Sequence, residues 1–324
     1  MYAQLIFSIL MFSPIHSQAE EIPKFSLDLI RHGDRMPAIE LPKGTPYPNP
    51  KNLNLGDLTE EGAKQEFQLG QELRREYVNS KKLLPENFQK GEFIYVKSTK
   101  ISRTINSAIE LLKGLYPMAN RPNPDFEIPI DLEKDKDGLL LVHPSTNLSP
   151  KENKLWKKNT IKISNKIQIW KDATGMDFDK MDSLFYCADN LFLRKLHNFP
   201  YPAGLTSENV EDILQLAEKL FLTKYRWPQM IHPMGNKFLK TLFNYFKQVK
   251  EGKTSLKYVL YLGHDSSIVS VLNTLGARVD TIPGFASRLN FTLFQQGNHY
   301  FYRVSLNENT LIIPKCKGTK CHLL

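Results

Sequence analysis

The 324-residue sequence has few cysteines and no long apolar run. Its three cysteines, Cys187, Cys316 and Cys321, are too few for a disulfide-rich scaffold, and their spacing does not match that of a metal site. No apolar stretch is long enough for a transmembrane helix, so we expect no membrane insertion. The sequence also lacks tandem repeats and low-complexity segments, which excludes repeat architectures.

Acidic residues are outnumbered by basic ones, 34 to 43, which gives a formal net charge of +9. Such an excess suits a polyanion, an anionic membrane surface or phosphorylated substrates. The lysines are scattered and do not form the block of about five or six that is typical of a nucleic-acid-binding arm, so we expect no nucleic-acid partner. Hydrophobic residues at 41% and charged residues at 24% are typical of a folded soluble protein.

The first 19 residues have the pattern of a signal peptide. An apolar run over residues 5–12 is followed by Ser17-Gln18-Ala19, a small-x-small cleavage site. A buried N-terminal strand is the alternative interpretation. We expect residues 1–19 to be a signal peptide and the mature protein to be periplasmic or secreted. Disulfides form in those compartments, and Cys316 and Cys321 could close a small loop, which would leave Cys187 buried and inert.

Residues 20–115 alternate between strand and helix patterns. An apolar run at 25–30 predicts a buried strand, and the hydroxyl and acidic residues that open 59–79 favour a helix there. A β-prone run at 93–96 precedes a second amphipathic helix, which begins near Ile101. This alternation predicts an α/β fold with a mixed, largely parallel central sheet flanked by helices.

The middle of the chain has a different pattern. Prolines interrupt it after residue 115, and residues 151–227 show apolar helix faces without strand-like alternation. We interpret residues 116–230 as a smaller, inserted helical subdomain that covers the site and shapes its specificity. Residues 20–115 and 231–324 then form the α/β catalytic domain.

Residues 231–324 complete this α/β domain. We expect a helix after His232-Pro233, a buried strand at 258–262 with a helix behind it, and a C-terminal hairpin of strands at 289–294 and 300–306. The strand at 258–262 repeats the design of the first strand, because its apolar run also ends in a polar turn.

Polar side chains follow the apolar strands at three places. Residues 31–37 read R-H-G-D-R-M-P, Arg103 lies at the start of the second helix, and His264-Asp265 follows a later strand. Ligands bind at the carboxyl ends of strands in α/β sheets, so we expect these three tips to converge. Guanidinium groups around an imidazole are costly to pack unless an anion lies among them, and the arginine fork suits phosphate oxygens. The pattern therefore predicts a phosphoryl site with an attacking histidine.

Together these motifs resemble those of the histidine acid phosphatases, the acid phosphatase and phytase branch of the histidine phosphatase superfamily. The matching residues are 31–37, then Ser98 with Arg103-Thr104 and Ser107-Ala108, then His264-Asp265. The segment 283–287 is also similar to the family's late loop. Three separated motifs in the family's order make the resemblance specific, and it extends from the first strand to beyond residue 287.

The resemblance implies a role for each residue of the candidate site. His32 is the nucleophile that forms a phosphohistidine intermediate, and Asp265 protonates the leaving alcohol. Four residues bind the phosphoryl oxygens: Arg31, Arg35, Arg103 and His264. No metal or cofactor is implied, because the arginines supply the positive charge. We expect the positive cluster to keep His32 neutral and acid pH to favour a protonated Asp265, which predicts an acidic optimum.

Two departures from the family's pattern bear on the substrate. Phytases of the family usually have Thr after the first motif's proline and Asn soon after the His-Asp pair, whereas this chain has Ala38 and Ser266-Ser267. We therefore predict an exported phosphatase that acts on small-molecule phosphate monoesters, with a phytase or inositol polyphosphate phosphatase as the alternative. A phosphoglycerate-mutase-like activity is a weaker alternative, because those relatives lack the His-Asp pair.

A non-catalytic phosphate- or polyanion-binding protein is the alternative from a different class, but it would need neither His32 nor Asp265. Asp34 is expected to be structural or to line the pocket. Five histidines have no partner pattern and are expected at surface or core positions: His143, His197, His232, His299 and His322. A homodimer is expected by family analogy alone.

Overall fold

The computed structural model describes residues 20–134, 137–141, 149–316 and 318–323. The signal peptide predicted for residues 1–19 lies outside the described residues, as does His143. In the described ranges, no helix combines the length and the apolar character that a membrane span requires.

Within the described ranges, eight strands form one sheet at the centre of the fold. In chain order they are β1 (Glu21–Arg31), β2 (Ile94–Ser98), β3 (Asp131–Leu132), β4 (Tyr258–Gly263), β5 (Arg288–Gln296), β6 (His299–Leu306), β7 (Asn309–Thr310) and β8 (Cys321–His322). Their spatial order is β3-β2-β4-β1-β5-β6-β7, and β8 pairs with β6. The strands from β3 to β1 pair in parallel, whereas β5 lies antiparallel to β1 and begins an antiparallel half. The α/β class and the C-terminal hairpin are thereby confirmed.

Eight α-helices occur in the described part of the chain. They are α1 (Glu60–Leu73), α2 (Ser102–Leu115), α3 (Ser149–Thr160), α4 (Ser164–Thr174), α5 (Met181–Leu196), α6 (Ser207–Lys224), α7 (Pro228–Lys250) and α8 (Asp265–Thr274). The hydroxyl of Thr59 caps α1 by accepting a hydrogen bond from the Gly62 N–H at 3.0 Å. α1 continues into a π-helix, Arg74–Ser80, so the helix predicted at 59–79 is present in two forms.

Two apolar cores lie on opposite faces of the sheet, because successive side chains of a strand point to opposite sides. Phe25, Leu27 and Leu29 of β1 belong to the core shared with α7 and α8. Ile30 belongs to the core shared with α1 and α2. All four side chains are fully buried. Helices therefore cover both faces of β1, which explains why its sequence is a continuous apolar run.

Helices α3 to α6 surround a third core, to which Trp170, Leu184 and Ile213 contribute. The boundary predicted at residue 230 falls inside α7, which begins at Pro228 and not after Pro233 as expected. Pro233 lies inside α7 as its sixth residue, so the backbone lacks one N–H for the intrahelical hydrogen bonds at that point. The short strand β3 was also not predicted. The division into a catalytic domain and an inserted subdomain remains a prediction.

β1 carries one buried carboxylate, Asp28, on the face of the sheet that packs against α1. Its Oδ1 accepts hydrogen bonds from Arg288 Nε and Asn290 Nδ2, both at 2.8 Å. Its Oδ2 accepts from the hydroxyls of Tyr258 at 2.8 Å and Tyr77 at 3.1 Å. A buried charge requires such partners. This network therefore joins β1, β4, β5 and the π-helix beneath the candidate site.

Cys316 and Cys321 form a disulfide, whereas Cys187 is free and buried in α5. The disulfide ties the turn at Pro314–Cys316 to β8, which pairs with β6 at the end of the sheet. The small loop indicated by the sequence is confirmed, and it attaches the C-terminal segment to the antiparallel half of the sheet.

Candidate active site

The carboxyl ends of three parallel strands lie side by side. Arg31 at the end of β1 pairs with Gly263 of β4, and Ser98 of β2 pairs with Leu262 of β4. The His32 N–H then donates to the Gly263 carbonyl at 3.2 Å. The polar residues that follow each strand are therefore held at one edge of the sheet.

The His32 ring is 2% exposed and has a defined tautomer. Its Nδ1 lies 2.8 Å from the Gly33 carbonyl oxygen, which can only accept a hydrogen bond. Nδ1 therefore carries the hydrogen, and the lone pair of Nε2 is free to act as a nucleophile. Burial, reinforced by the charges of Arg31 and Arg103, holds the pKa of His32 well below its usual value. The ring is neutral, as expected from the sequence.

Three arginines present unpartnered donors in the site. Among the described residues, the buried Nε atoms of Arg31, Arg35 and Arg103 have no hydrogen-bond partner. The pKa of Arg103 falls to about 10, first through burial and then through the charge of Arg35. Buried guanidinium groups that repel one another and keep free donors form a binding site for an anion.

Arg31 is held from two sides. Its Nη2 lies 2.9 Å from Asp265 Oδ2, and its Nη1 donates to the Pro283 carbonyl at 2.5 Å. Its guanidinium also lies 4.4 Å above the ring of Phe285. The conformation of the Arg31 fork is thus set by α8 and by the loop at 283–287 before any ligand binds.

His264 and Asp265 lie at the start of α8. The centroid of the His264 ring is 5.5 Å from that of His32, and its Nε2 is 3.2 Å from the Thr99 hydroxyl. Burial first, and the charge of Arg103 second, lower the pKa of His264 to about 3. His264 is therefore a neutral hydrogen-bonding group beside the nucleophile.

The protonation of Asp265 differs from the sequence-based expectation. Burial alone raises the pKa of this carboxyl, but Arg31 and the Ser266 N–H, which donates to Oδ1 at 2.6 Å, hold it below the usual value. Asp265 is thus ionised in the free site, even at moderately acid pH. The ion pair with Arg31, which no local pattern predicts, is the cause.

All six residues predicted for the site lie at one edge of the sheet: Arg31, His32, Arg35, Arg103, His264 and Asp265. The site also contains Asp189 of α5, which was not predicted. Asp189 binds Arg35 through two bonds, Nη2 to Oδ1 at 2.6 Å and Nη1 to Oδ2 at 3.1 Å. Its Oδ2 also accepts from the Ala38 N–H at 2.8 Å. Burial tends to lower the pKa of Arg35, but the carboxylate of Asp189 has the larger, opposite effect, so the pKa of Arg35 is raised. Asp189 therefore fixes the orientation and the charge of Arg35.

His197 has a partner, contrary to the expectation of a plain surface or core histidine. Its Nε2 lies 3.1 Å from Oδ1 of the fully buried Asp34. Asp34 Oδ2 accepts from the Thr59 hydroxyl at 2.6 Å. Asp34 therefore connects the first motif to α1 and to the end of α5. This is the structural role expected from the sequence as one of two possibilities.

Close packing behind the nucleophile explains the glycine of the first motif. The Gly33 N–H donates to Ser107 Oγ at 3.1 Å, and a Cβ at Gly33 would lie 2.4 Å from the Gly62 carbonyl oxygen. Glu66 is fully buried in the same region, and among the described residues neither of its carboxyl oxygens has a hydrogen bond of normal geometry. Burial raises its pKa well above the usual value, although the Ser107 hydroxyl opposes this. Glu66 is therefore a neutral acid.

The loop at 283–287 closes the other side of His32. Ala286 has a φ of 54°, in the left-handed region that non-glycine residues rarely adopt. Its N–H donates to the His32 carbonyl at 3.2 Å, and the Ser287 carbonyl accepts from the Arg31 N–H at 2.9 Å. These bonds hold the Phe285 ring 5.8 Å from the His32 ring.

A cavity of about 340 Å³ opens above Arg31, Arg35 and Asp265. Its other walls come from α5, α6 and the loop before β5. Among the described residues, no group of three or more His, Cys, Asp and Glu side chains is arranged to hold a metal ion.

Known proteins match this chain over most of its length. The family model for the histidine phosphatase superfamily (branch 2) matches residues 28–307. The chain is 26% identical over 323 residues to prostatic acid phosphatase of Bos taurus, which covers 92% of this chain and 82% of that protein. It is 29% identical over 286 residues to putative acid phosphatase 5 of Caenorhabditis elegans, at coverages of 83% and 65%.

The fold is shared with solved structures of more distant proteins. A Hafnia alvei phytase in complex with tartrate has a TM-score of 0.66 over 93% of this chain and 94% of its own, at 16% sequence identity. At this level of identity, the likeness establishes the fold alone.

Proposed function

The chain belongs to branch 2 of the histidine phosphatase superfamily, and we propose that it hydrolyses small phosphate monoesters through a phosphohistidine intermediate. The reaction class, phosphoric monoester hydrolysis, follows from the family and from relatives named acid phosphatase. One observation carries the finer proposal. The neutral His32 is surrounded by three arginines whose buried Nε atoms lack partners in the described chain.

The first half-reaction transfers the phosphoryl group to the enzyme. Arg31, Arg35 and Arg103 bind its oxygens, and the Nε2 lone pair of His32 forms a bond to phosphorus as the ester P–O bond breaks. The departing oxygen takes a proton from Asp265 and leaves as the alcohol. In the second half-reaction a water molecule gives its proton to Asp265, attacks phosphorus and releases phosphate from His32.

Substrate binding prepares Asp265 for this role. In the free site Arg31 holds the pKa of Asp265 low against the effect of burial. A bound phosphoryl group takes up part of the positive charge of Arg31 and adds negative charge beside the carboxyl, so the pKa of Asp265 rises. The acid is therefore protonated when the leaving group needs the proton, and acid pH favours this state.

Turnover of p-nitrophenyl phosphate tests the nucleophile. We expect His32→Ala to lower kcat by at least about a thousandfold, because no alternative nucleophile replaces the ring. His299→Ala, at an exposed histidine on β6, is the matched control and should retain activity. Equal activity of wild type and His32→Ala would exclude the proposed mechanism.

The leaving group tests the acid. Asp265→Asn should slow an alkyl phosphate, whose alkoxide needs a proton, by about a hundredfold or more. Its effect on p-nitrophenyl phosphate should be smaller, because p-nitrophenolate leaves without full protonation. An equal loss for both substrates would assign Asp265 a role other than proton donation.

A phytase is the second candidate function, because the fold is shared with solved phytases such as that of Hafnia alvei. Phytases of the family usually have threonine after the first motif's proline and asparagine soon after the His-Asp pair, whereas this chain has Ala38 and Ser266-Ser267, which favours the general phosphatase. Faster turnover of inositol hexakisphosphate than of phenyl phosphate would reverse this preference. Phosphate binding without turnover of either would favour a non-catalytic binding protein.

Export to the periplasm or the exterior is also part of the proposal. The Cys316–Cys321 disulfide is consistent with an oxidising compartment. N-terminal sequencing of protein recovered from its native compartment should begin after Ala19. Light scattering of the purified protein would distinguish the homodimer expected by analogy from a monomer.

A further inference from the structure

The cavity above Arg31, Arg35 and Asp265 has a lining of apolar and acidic side chains. Its five large apolar side chains are Phe185, Phe192, Leu214, Phe221 and Ile282, and Ala188 and Ala217 also line it. The only cationic residues in its described lining are Arg31 and Arg35, which the phosphoryl group engages. A leaving group therefore meets aromatic rings and carboxylates once it extends past these two arginines.

Two neighbouring helices build this surface with the same spacing. In α5, Phe185, Asp189 and Phe192 follow at steps of four and three residues, which places them on one face. In α6, Leu214, Glu218 and Phe221 follow at the same steps. The rings of Phe185 and Phe221 meet across the two helices at 6.2 Å.

Most of the cavity's carboxylates are neutralised by a cation of the protein. Asp265 pairs with Arg31, Asp189 with Arg35, and Glu211 with Lys195 at 2.5 Å. Glu218 differs from them. Its Oε1 accepts a hydrogen bond from the Ile282 N–H at 2.9 Å, and no lysine or arginine of the described chain forms an ion pair with it.

Aromatic rings connect the nucleophile to this wall. The Phe285 ring lies 5.8 Å from His32 and 6.2 Å from Phe192. Phe192 is 41% exposed, so its ring is open to a ligand. The group attached to the phosphoryl oxygen is therefore delivered onto aromatic faces next to an unpaired carboxylate.

We propose that this cavity selects phosphate monoesters whose alcohol carries an alkylammonium group, with Phe192 and Glu218 as the specificity-determining residues. This inference rests on the proposed function and names its substrate class. Aromatic faces and a half-buried carboxylate without an ion-pair partner in the described chain both attract an alkylammonium ion. A second phosphate on the leaving group would face Glu218 without a cation to neutralise it. Polyphosphorylated substrates are therefore disfavoured.

A pair of isosteric substrates tests the proposal. Choline phosphate and 3,3-dimethylbutyl phosphate have the same shape and differ by one positive charge. We expect kcat/KM to be about tenfold higher for choline phosphate in the wild-type enzyme. A ratio of one or less would overturn the proposal without the use of any variant.

Two substitutions locate the effect. Glu218→Gln and Phe192→Leu should each move the ratio of the two kcat/KM values towards one. Asp212→Asn is the matched control, because it removes a carboxylate of the same helix that pairs with Lys166; it should leave the ratio unchanged. An unchanged ratio in both test variants would refute the proposed site.

Inositol hexakisphosphate tests whether the cavity disfavours polyphosphorylated substrates. Its kcat/KM should lie below that of both monophosphates in the wild type and should rise in Glu218→Gln. The opposite order would also overturn the inference. Failure of the proposed function is distinct, since it would abolish wild-type turnover of p-nitrophenyl phosphate as well as of both test substrates.

Discussion

Glu66 links the packing behind the nucleophile to the pH dependence of stability. The carboxyl is fully buried and its pKa lies well above the usual 4.5 because of burial, although the Ser107 hydroxyl opposes the shift. In the folded protein it therefore stays neutral over a pH range in which the unfolded chain ionises it. The unfolded chain then binds fewer protons, so the free energy of unfolding falls as pH rises from 4.5 towards the folded pKa.

Glu66→Gln removes this titration and keeps the size of the side chain. Below pH 4.5 both proteins are neutral at this position and should differ little. Above it, wild type loses about 1.4 kcal/mol per pH unit relative to the variant until the folded pKa is reached. The variant should thus be progressively more stable than wild type as the pH rises.

Urea unfolding at pH 4.0, 5.0 and 6.0 measures this difference. Glu72→Gln is the control on the same helix, because the Glu72 side chain is 52% exposed and lies 3.8 Å from Arg75; this variant should not gain stability over wild type as the pH rises. If the difference between Glu66→Gln and wild type is the same at all three pH values, Glu66 is not a neutral buried acid.

Two further substitutions test the support of the site. Arg288→Met leaves Asp28 buried without its cation and should lower the free energy of unfolding by about 3–5 kcal/mol, measured by urea titration; a change below about 1 kcal/mol would contradict the role of the network. Gly33→Ala places a Cβ 2.4 Å from the Gly62 carbonyl and should displace His32. We expect a large loss of kcat for p-nitrophenyl phosphate, whereas unchanged kinetics would contradict the packing argument.

The strands of the site were predictable because their sequence pattern is local. The apolar runs that become β1 and β4 are buried on both faces, and each stops at a polar turn, so their burial and their ends could be inferred without tertiary information. The convergence of the tips then followed from the parallel pairing of the strands.

The partners of the site residues could not be predicted from a local sequence pattern. Asp189 is 154 residues from Arg35 in sequence, and its carboxylate reaches the fork only because α5 packs over the edge of the sheet. His197 meets Asp34 for the same reason, at a separation of 163 residues. No helix or strand periodicity encodes such pairs, since they depend on how the helices of 149–224 dock onto the sheet.

The charge state of Asp265 also depends on contacts between distant parts of the chain. Its position beside His264 was evident from the sequence, but its pKa is set by Arg31, whose conformation depends on Pro283 and Phe285 in the late loop. A sequence pattern can therefore indicate which groups are present in a site, whereas their charge states require the contacts.

The phosphoenzyme is the central claim and can be measured directly. Wild-type enzyme is mixed rapidly with p-nitrophenyl phosphate and quenched in alkali, in which phosphohistidine is stable, and its peptides are then mass-analysed. The account predicts one added phosphoryl group on His32 during turnover, absent from His32→Ala. Turnover without a trapped phosphoenzyme, or a phosphoryl group on another residue, would contradict it.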